Sequence, residues 1–189
     1  MVEAVAYSFE LNPEMLDLLN KEFDVKKLAV RFGEAIKGKT SEEIETIGRE
    51  FFTDYGTEWI RRTLQLGEEY PDRTYEMIKM SIDKTGGYYR FALLPQRFIE
   101  IAYLATQEFP SLPIVENNSH ALVYKLVDCA LYKSLKEVCG ENVAAQLPCR
   151  HSCLTALKVL HQDLEIDAIT GMDAEMPKDG FCQFFARSV

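Results

Sequence analysis

The sequence predicts a single α+β domain that ends in a β-hairpin, and three observations carry that prediction. Residues 12–83 show apolar side chains at three- and four-residue spacing between helix start and stop signals. Residues 120–128 alternate well enough to read as a strand. Near the end of the chain, segments 164–176 and 181–187 flank Pro177-Lys178-Asp179-Gly180, four residues with the chemistry of a hairpin turn. The 189 residues fall within the roughly 100–200 expected of one domain. No repeat, low-complexity tract or long linker divides them into more than a helix-rich part, 1–85, and a mixed α/β part, 86–189.

Taken in order, residues 3–9 read as a short edge strand, and Asn12-Pro13 as an N-cap followed by proline at the first helical position, opening a helix to about Phe23. A second helix spans about Val25–Ile36 and stops at Gly38. Thr40-Ser41-Glu42-Glu43 then forms a capping box for a third. There Ile44, Ile47, Phe51, Tyr55 and Trp59 make one apolar stripe, and Gly48, Gly56 and Gly67 point to close helix packing, because each costs about 1 kcal/mol against alanine in a helix interior. Pro71-Asp72 restarts a helix to about Asp83, and Gly86-Gly87 ends it before Tyr88–Leu94, an aromatic run with strand propensity. Phe98–Phe109 fits strand or helix. His120–Asp128 is a strand, Ala130–Val138 a helix, and the helical segment after Gly140 is interrupted at Pro148 and resumes through Leu160.

Composition removes several classes of function. A formal charge of −9 argues against nucleic acid, whose phosphates are bound by lysine and arginine; Lys26-Lys27 and Arg61-Arg62 sit among acidic residues and form no basic stripe. The N-terminus lacks the basic and apolar regions of a secretory signal, and no apolar run approaches the ~18 residues of a membrane span. A cytoplasmic, reducing setting is therefore expected, with the five cysteines free, catalytic or metal-bound, and with Asn117-Asn118-Ser119 an accidental glycosylation match. A chain this long buries roughly 70% of its unfolded surface and needs no metal merely to be stable.

Four of those cysteines fall at suggestive places. Cys129 stands at a strand-to-helix junction, Cys149 at a helix start, Cys153 one turn further along the same helix face, and Cys182 in the last strand; His151 lies near the Cys149 end. A helix N-terminus favours thiolate, which makes Cys149 the best candidate for a lowered pKa. If Met176 pairs with Phe181 across the turn, Glu175 faces Cys182, and zinc between them would make a normal ligand pair that Cys149 with Cys129 or Cys153 completes. The spacings are not C-x-x-C pairs, so an inert, buried role for each thiol stays open beside the metal reading. Cys139 reads as a small core or surface residue, and the lone His120 and His161 as structural or exposed.

The segment running from Pro148-Cys149-Arg150-His151 through Asp163–Asp167 to Met176-Pro177-Lys178-Asp179-Gly180-Phe181-Cys182-Gln183-Phe184 resembles the end of 4-vinyl reductase type small-molecule-binding domains. It is also similar to L-2-amino-thiazoline-4-carboxylic acid hydrolase-like proteins, which carry an earlier cysteine much like that in Val127-Asp128-Cys129-Ala130-Leu131-Tyr132. The resemblance covers about the last seventy residues. It implies helices packed on an antiparallel β-sheet with a small apolar or heterocyclic ligand held between them. Sensor members of the first group carry zinc on cysteines and a carboxylate, and Cys149 and Cys182 match by position. Ala174 and Glu175 stand where such domains place another cysteine, and Ser152 where the hydrolase-like group often has aspartate.

Three functions follow as expectations. The first is a sensor-like ligand-binding domain, its pocket lined from the nine tyrosines and eleven phenylalanines, with a metal site drawn from Cys129, Cys149, Cys153, Glu175 and Cys182. With no effector segment in view, such a sensor would act through a partner or as a homodimer. The second is a hydrolase opening a small nitrogen and sulfur heterocycle, with Cys149 as nucleophile or ligand and His151 or Glu175 as general base. The third is a scaffolding domain, since vesicle-tethering subunits share the implied architecture.

Overall fold

Helix α1 (Pro13–Glu22) starts where the sequence predicts: the Asn12 side chain accepts hydrogen bonds from the amides of Glu14 at 2.8 Å and Met15 at 3.3 Å. The structure, a computed structural model, describes residues 9–85, 90–107 and 111–189. Most of the strand predicted at 3–9 and the Gly86-Gly87 break lie outside those residues. Asp24 caps α2 (Val25–Ala35) in the same way. The capping box is present at the head of α3 (Ser41–Glu69): Thr40 Oγ1 accepts from the Glu43 amide at 3.3 Å, and the Glu43 carboxylate accepts from the Thr40 amide at 2.8 Å. These caps satisfy amide donors that a helix start leaves without partners.

The glycines of α3 do what their cost suggested. A Cβ on Gly48 would stand 2.9 Å from Pro148 Cβ, one on Gly56 2.8 Å from Ser152 Cα, and one on Gly67 2.6 Å from the Phe98 ring. Helix α8 (Arg150–Asp163) is thereby laid directly on α3, backbone against backbone at Ser152. This contact fixes the start of α8, where Cys149 and Cys153 lie.

Helix α4 (Thr74–Thr85) is followed by α5 (Arg90–Thr106), which overturns the strand expected at the end of the Tyr88–Leu94 run and settles Phe98–Phe109 as helix through Thr106. Tertiary burial outweighs strand propensity here. Ala92, Leu93, Phe98, Ile99, Ile101, Ala102, Tyr103 and Ala105 are all buried, so the helix is apolar on most sides and lacks the one-faced periodicity that announces a surface helix. Pro95 lies inside its first turns, where the missing amide removes one intrahelical bond.

Strands β1 (Ile114–Asn117), β2 (Ala121–Leu126), β3 (Ala168–Ala174) and β4 (Cys182–Ser188) form one antiparallel sheet in the order β1-β2-β4-β3. Along β4 the buried Cys182, Phe184 and Ala186 alternate with more exposed neighbours, so one face meets the helices. The hairpin forms, with its strand limits narrower than predicted: α8 runs on to Asp163, and β3 begins at Ala168. Ala174 pairs with Gln183, the register that pairing Met176 with Phe181 would give, but the ladder ends there. Met176–Asp179 coil into a single helical turn, α9, which Gly180 closes at φ 78°, a conformation that favours glycine. Helices α6 (Ala130–Cys139) and α7 (Glu141–Ala145) complete the order, α6 packing on α2. No described helix is long and apolar enough to cross a membrane.

Candidate functional site

An apolar cavity lies between α3, α5, the starts of α6 and α8, and the inner faces of β2 and β4. Counting its mouth it contains about 460 Å³ free of protein atoms, spread so thinly between side chains that the centre of a water molecule has only about 20 Å³ to occupy. That is room for about one water.

All four cysteines singled out from the sequence line this cavity, although Cys129 and Cys182 are more than fifty residues apart. Each arrives by a different local device. Cys129 caps α6, its Sγ accepting from the Tyr132 amide at 3.5 Å. Cys149 precedes α8 at a bend that places Leu147 at φ 52°. Cys153 follows one turn later, and Cys182 projects from β4 opposite Leu126. Cys139 stands apart, half-buried beside α2, with its thiol 3.9 Å from the Ala29 carbonyl.

The expected low pKa of Cys149 is overturned. Burial pushes its thiol well above the usual value, and Cys129, Cys153 and Cys182 add to the shift. The favourable field at a helix start is typically worth 0.3–1 kcal/mol, and an ionised group removed from water costs several. Burial likewise raises Cys153, and it pushes Cys129 and Cys182 up to about 12. At neutral pH the cavity therefore presents four neutral thiols.

The other predicted site residues stay off the cavity. His151 turns its Nε2 toward Glu45, 3.6 Å from Oε1, and burial together with Arg150 lowers its pKa. Glu175 caps α9, its amide donating to Asp179 Oδ2 at 2.8 Å; its charge, with that of Asp179, contributes to the rise at Cys182, but it does not line the cavity. Among the described residues no three His, Cys, Asp or Glu side chains are grouped so as to hold a metal ion. The four thiols line one cavity without being gathered as the ligands of a single ion.

Sequence reasoning drew an aromatic lining from the tyrosines and phenylalanines at large and did not single out which of them, or Trp59, form the wall. Tyr55 stacks on Trp59 at 6.0 Å, Trp59 meets Tyr103 edge to face at 5.1 Å, Tyr103 lies 5.7 Å from Tyr124, and Tyr124 stacks on Phe184 at 5.6 Å. Tyr55 and Trp59 were legible only as core positions of the α3 stripe. Tyr103 fell in the segment that fitted either strand or helix.

Most polar groups along the wall are occupied. Tyr55 donates to the Phe23 carbonyl at 3.2 Å, Thr106 to Ala102 at 2.9 Å and Ser152 to Cys149 at 2.7 Å; the Gln107 side-chain oxygen accepts from the Ala130 amide at 2.7 Å. Arg150, at the rim, is held by Glu45 at 3.2 Å. Two buried atoms differ: among the described residues Trp59 Nε1 has no hydrogen-bond partner, and the Tyr103 hydroxyl, which interacts with the Cys153 thiol and the Tyr124 hydroxyl, reaches neither at full hydrogen-bonding geometry. Burial also raises the Tyr103 pKa, so its hydroxyl keeps its proton.

Compared with models of known protein families, with curated proteins and with solved structures, the chain has no significant match.

Proposed function

We propose that the chain is a small-molecule-binding domain of the sensor-like kind that its C-terminal resemblance implies, with the cavity between α3, α5, α8 and the sheet as its site. One observation carries this reading: four cysteines and an aromatic wall, contributed by α3, α5, α6, α8 and β4, converge on one apolar cavity. Ligand sites are mostly apolar and aromatic with a few placed polar groups, and the interface between a helical layer and a sheet is a natural place for one. The ligand class is small, apolar and uncharged. Melting temperature is the test: neutral aromatic and heterocyclic compounds should raise it, and elemental analysis of protein purified without chelator should find no stoichiometric metal. A panel that leaves the melting temperature unchanged would remove this reading. Near-stoichiometric zinc lost in Cys149→Ala and Cys182→Ala would replace it with a metal site.

A hydrolase built on Cys149 and His151 has less behind it, since the thiol is held neutral and the imidazole faces Glu45. Turnover of a thiazoline carboxylate that disappears in Cys149→Ala would restore it.

A further inference from the structure

We propose that Trp59 and Tyr103 read a hydrogen-bond acceptor, best a carbonyl oxygen, on a neutral, flat, hydrocarbon-rich ligand. The inference rests on the small-molecule reading above and adds the chemistry of the ligand. Both side chains line the cavity, both are 3% exposed, and their rings meet edge to face at 5.1 Å. The indole N–H can only donate, and a buried donor left unmatched costs about 1–3 kcal/mol. A carbonyl oxygen has two lone pairs, one for each donor.

Charge complementarity narrows the class. Among the described residues the one charged side chain on the wall, Arg150, is already paired with Glu45, and the four thiols are neutral, so a charged ligand would enter without a counter-ion. The hydroxyls of Tyr55, Thr106 and Ser152 and the side-chain oxygen of Gln107 are engaged elsewhere, and Trp59 and Tyr103 are the deeply buried donors on the wall that no described residue meets at full hydrogen-bonding geometry. Water is the competing occupant, and about 20 Å³ would admit one. Its own two hydrogens would then face thiol sulfurs, which are weak acceptors, whereas a ketone has no hydrogen to place there. A ligand larger than water must displace lining side chains, so the comparison needs probes of matched size.

The test is calorimetric titration of the full chain with acetophenone, ethylbenzene and benzoate, repeated on Trp59→Phe and Tyr103→Phe. The ketone should bind about tenfold or more tightly than ethylbenzene, the order of one hydrogen bond to a buried donor, and benzoate should not bind. Each variant should bring the ketone-to-hydrocarbon ratio to within about threefold; ethylbenzene affinity should hold in Tyr103→Phe, which removes only the hydroxyl, whereas Trp59→Phe also enlarges the cavity and is read by the ratio alone. Equal affinity of the wild type for ketone and hydrocarbon would overturn the acceptor inference and leave the pocket standing, as would a ketone preference that survives both substitutions. Binding of none of the three would overturn both, with a buried water as the cavity's occupant. Should one variant fail to fold, the wild-type ratio and the other variant still decide.

Discussion

Two buried polar clusters sit against α5, and they are built on opposite plans. Midway along it, Arg97 donates from Nε to Asp72 at 2.5 Å and from Nη2 to the Gly67 carbonyl at 2.7 Å, while Asp72 also accepts from the Thr74 amide at 2.8 Å and from the Thr74 hydroxyl. The two charged side chains are 7% and 2% exposed, and the cluster ties the end of α3 to α4 and α5. Less than two turns of α5 further on, Tyr103 and its neighbour Trp59 bury polar atoms that no described residue meets at full hydrogen-bonding geometry. A buried charge pair is tolerable only when its hydrogen bonds are made, so the first cluster is a strut. The second costs the fold free energy, and on the proposed reading a ligand would recover it.

Alkali should produce the largest effect and act mainly on the cavity end. A thiol whose pKa is raised by folding binds its proton more tightly in the native state, so its contribution is complete below the unfolded value, roughly 8.5, and is lost as pH climbs toward the folded value. With Cys129 and Cys182 at about 12 and Cys149 and Cys153 also raised, stability should fall from about pH 8.5 upward through pH 12. Urea midpoints measured across that range check the sign, and Cys129→Ser with Cys182→Ser should flatten the fall. A midpoint that rises with pH would show thiolates stabilised in the fold.

Removing half of the strut comes next. Asp72→Ala leaves the Arg97 charge buried without its partner and should cost about 3–5 kcal/mol in chemical unfolding. Gly56→Ala, at the α3–α8 contact behind the cavity, should cost about 1–3 kcal/mol, because its new methyl has the Ser152 backbone to displace and the gain in helix propensity recovers only about 1 kcal/mol. Tyr103→Phe should have the smallest effect: deleting an unmatched hydroxyl leaves the ligand-free protein unchanged or raises its stability by up to about 1 kcal/mol. A loss as large as that of Asp72→Ala would make Tyr103 a second strut and erase the contrast between the two clusters.

The features that are local in the chain were readable from it. Asn12 and Thr40 act over two or three residues and cap as predicted, and Asp24, which the sequence reading passed over, caps by the same local chemistry. Gly48 and Gly56 were readable as packing residues because a helix tolerates glycine only for a reason; which helix they met was not. The four cysteines were gathered from their places at element junctions, and the cavity does bring them together. Their ionisation was not legible, because the pKa of Cys149 depends on burial contributed by α3, α6 and β4 more than on the helix it precedes. Arg90–Leu94 misled for a related reason: a helix buried on most sides carries the same apolar residues as a strand. That no described residue meets Trp59 Nε1 or the Tyr103 hydroxyl at full hydrogen-bonding geometry follows from tertiary packing, and no spacing in the sequence encodes it.

Site-resolved alkylation of the five cysteines by mass spectrometry, with and without saturating acetophenone, tests the central claim most directly. Cys139, outside the cavity, serves as the control. A filled cavity should slow N-ethylmaleimide labelling of Cys129, Cys149, Cys153 and Cys182 by about tenfold or more, the scale of a saturating ligand's mass action, and leave Cys139 at its ligand-free rate. Unchanged labelling of the four, or equal slowing of all five, would contradict the assignment of this cavity as the ligand site.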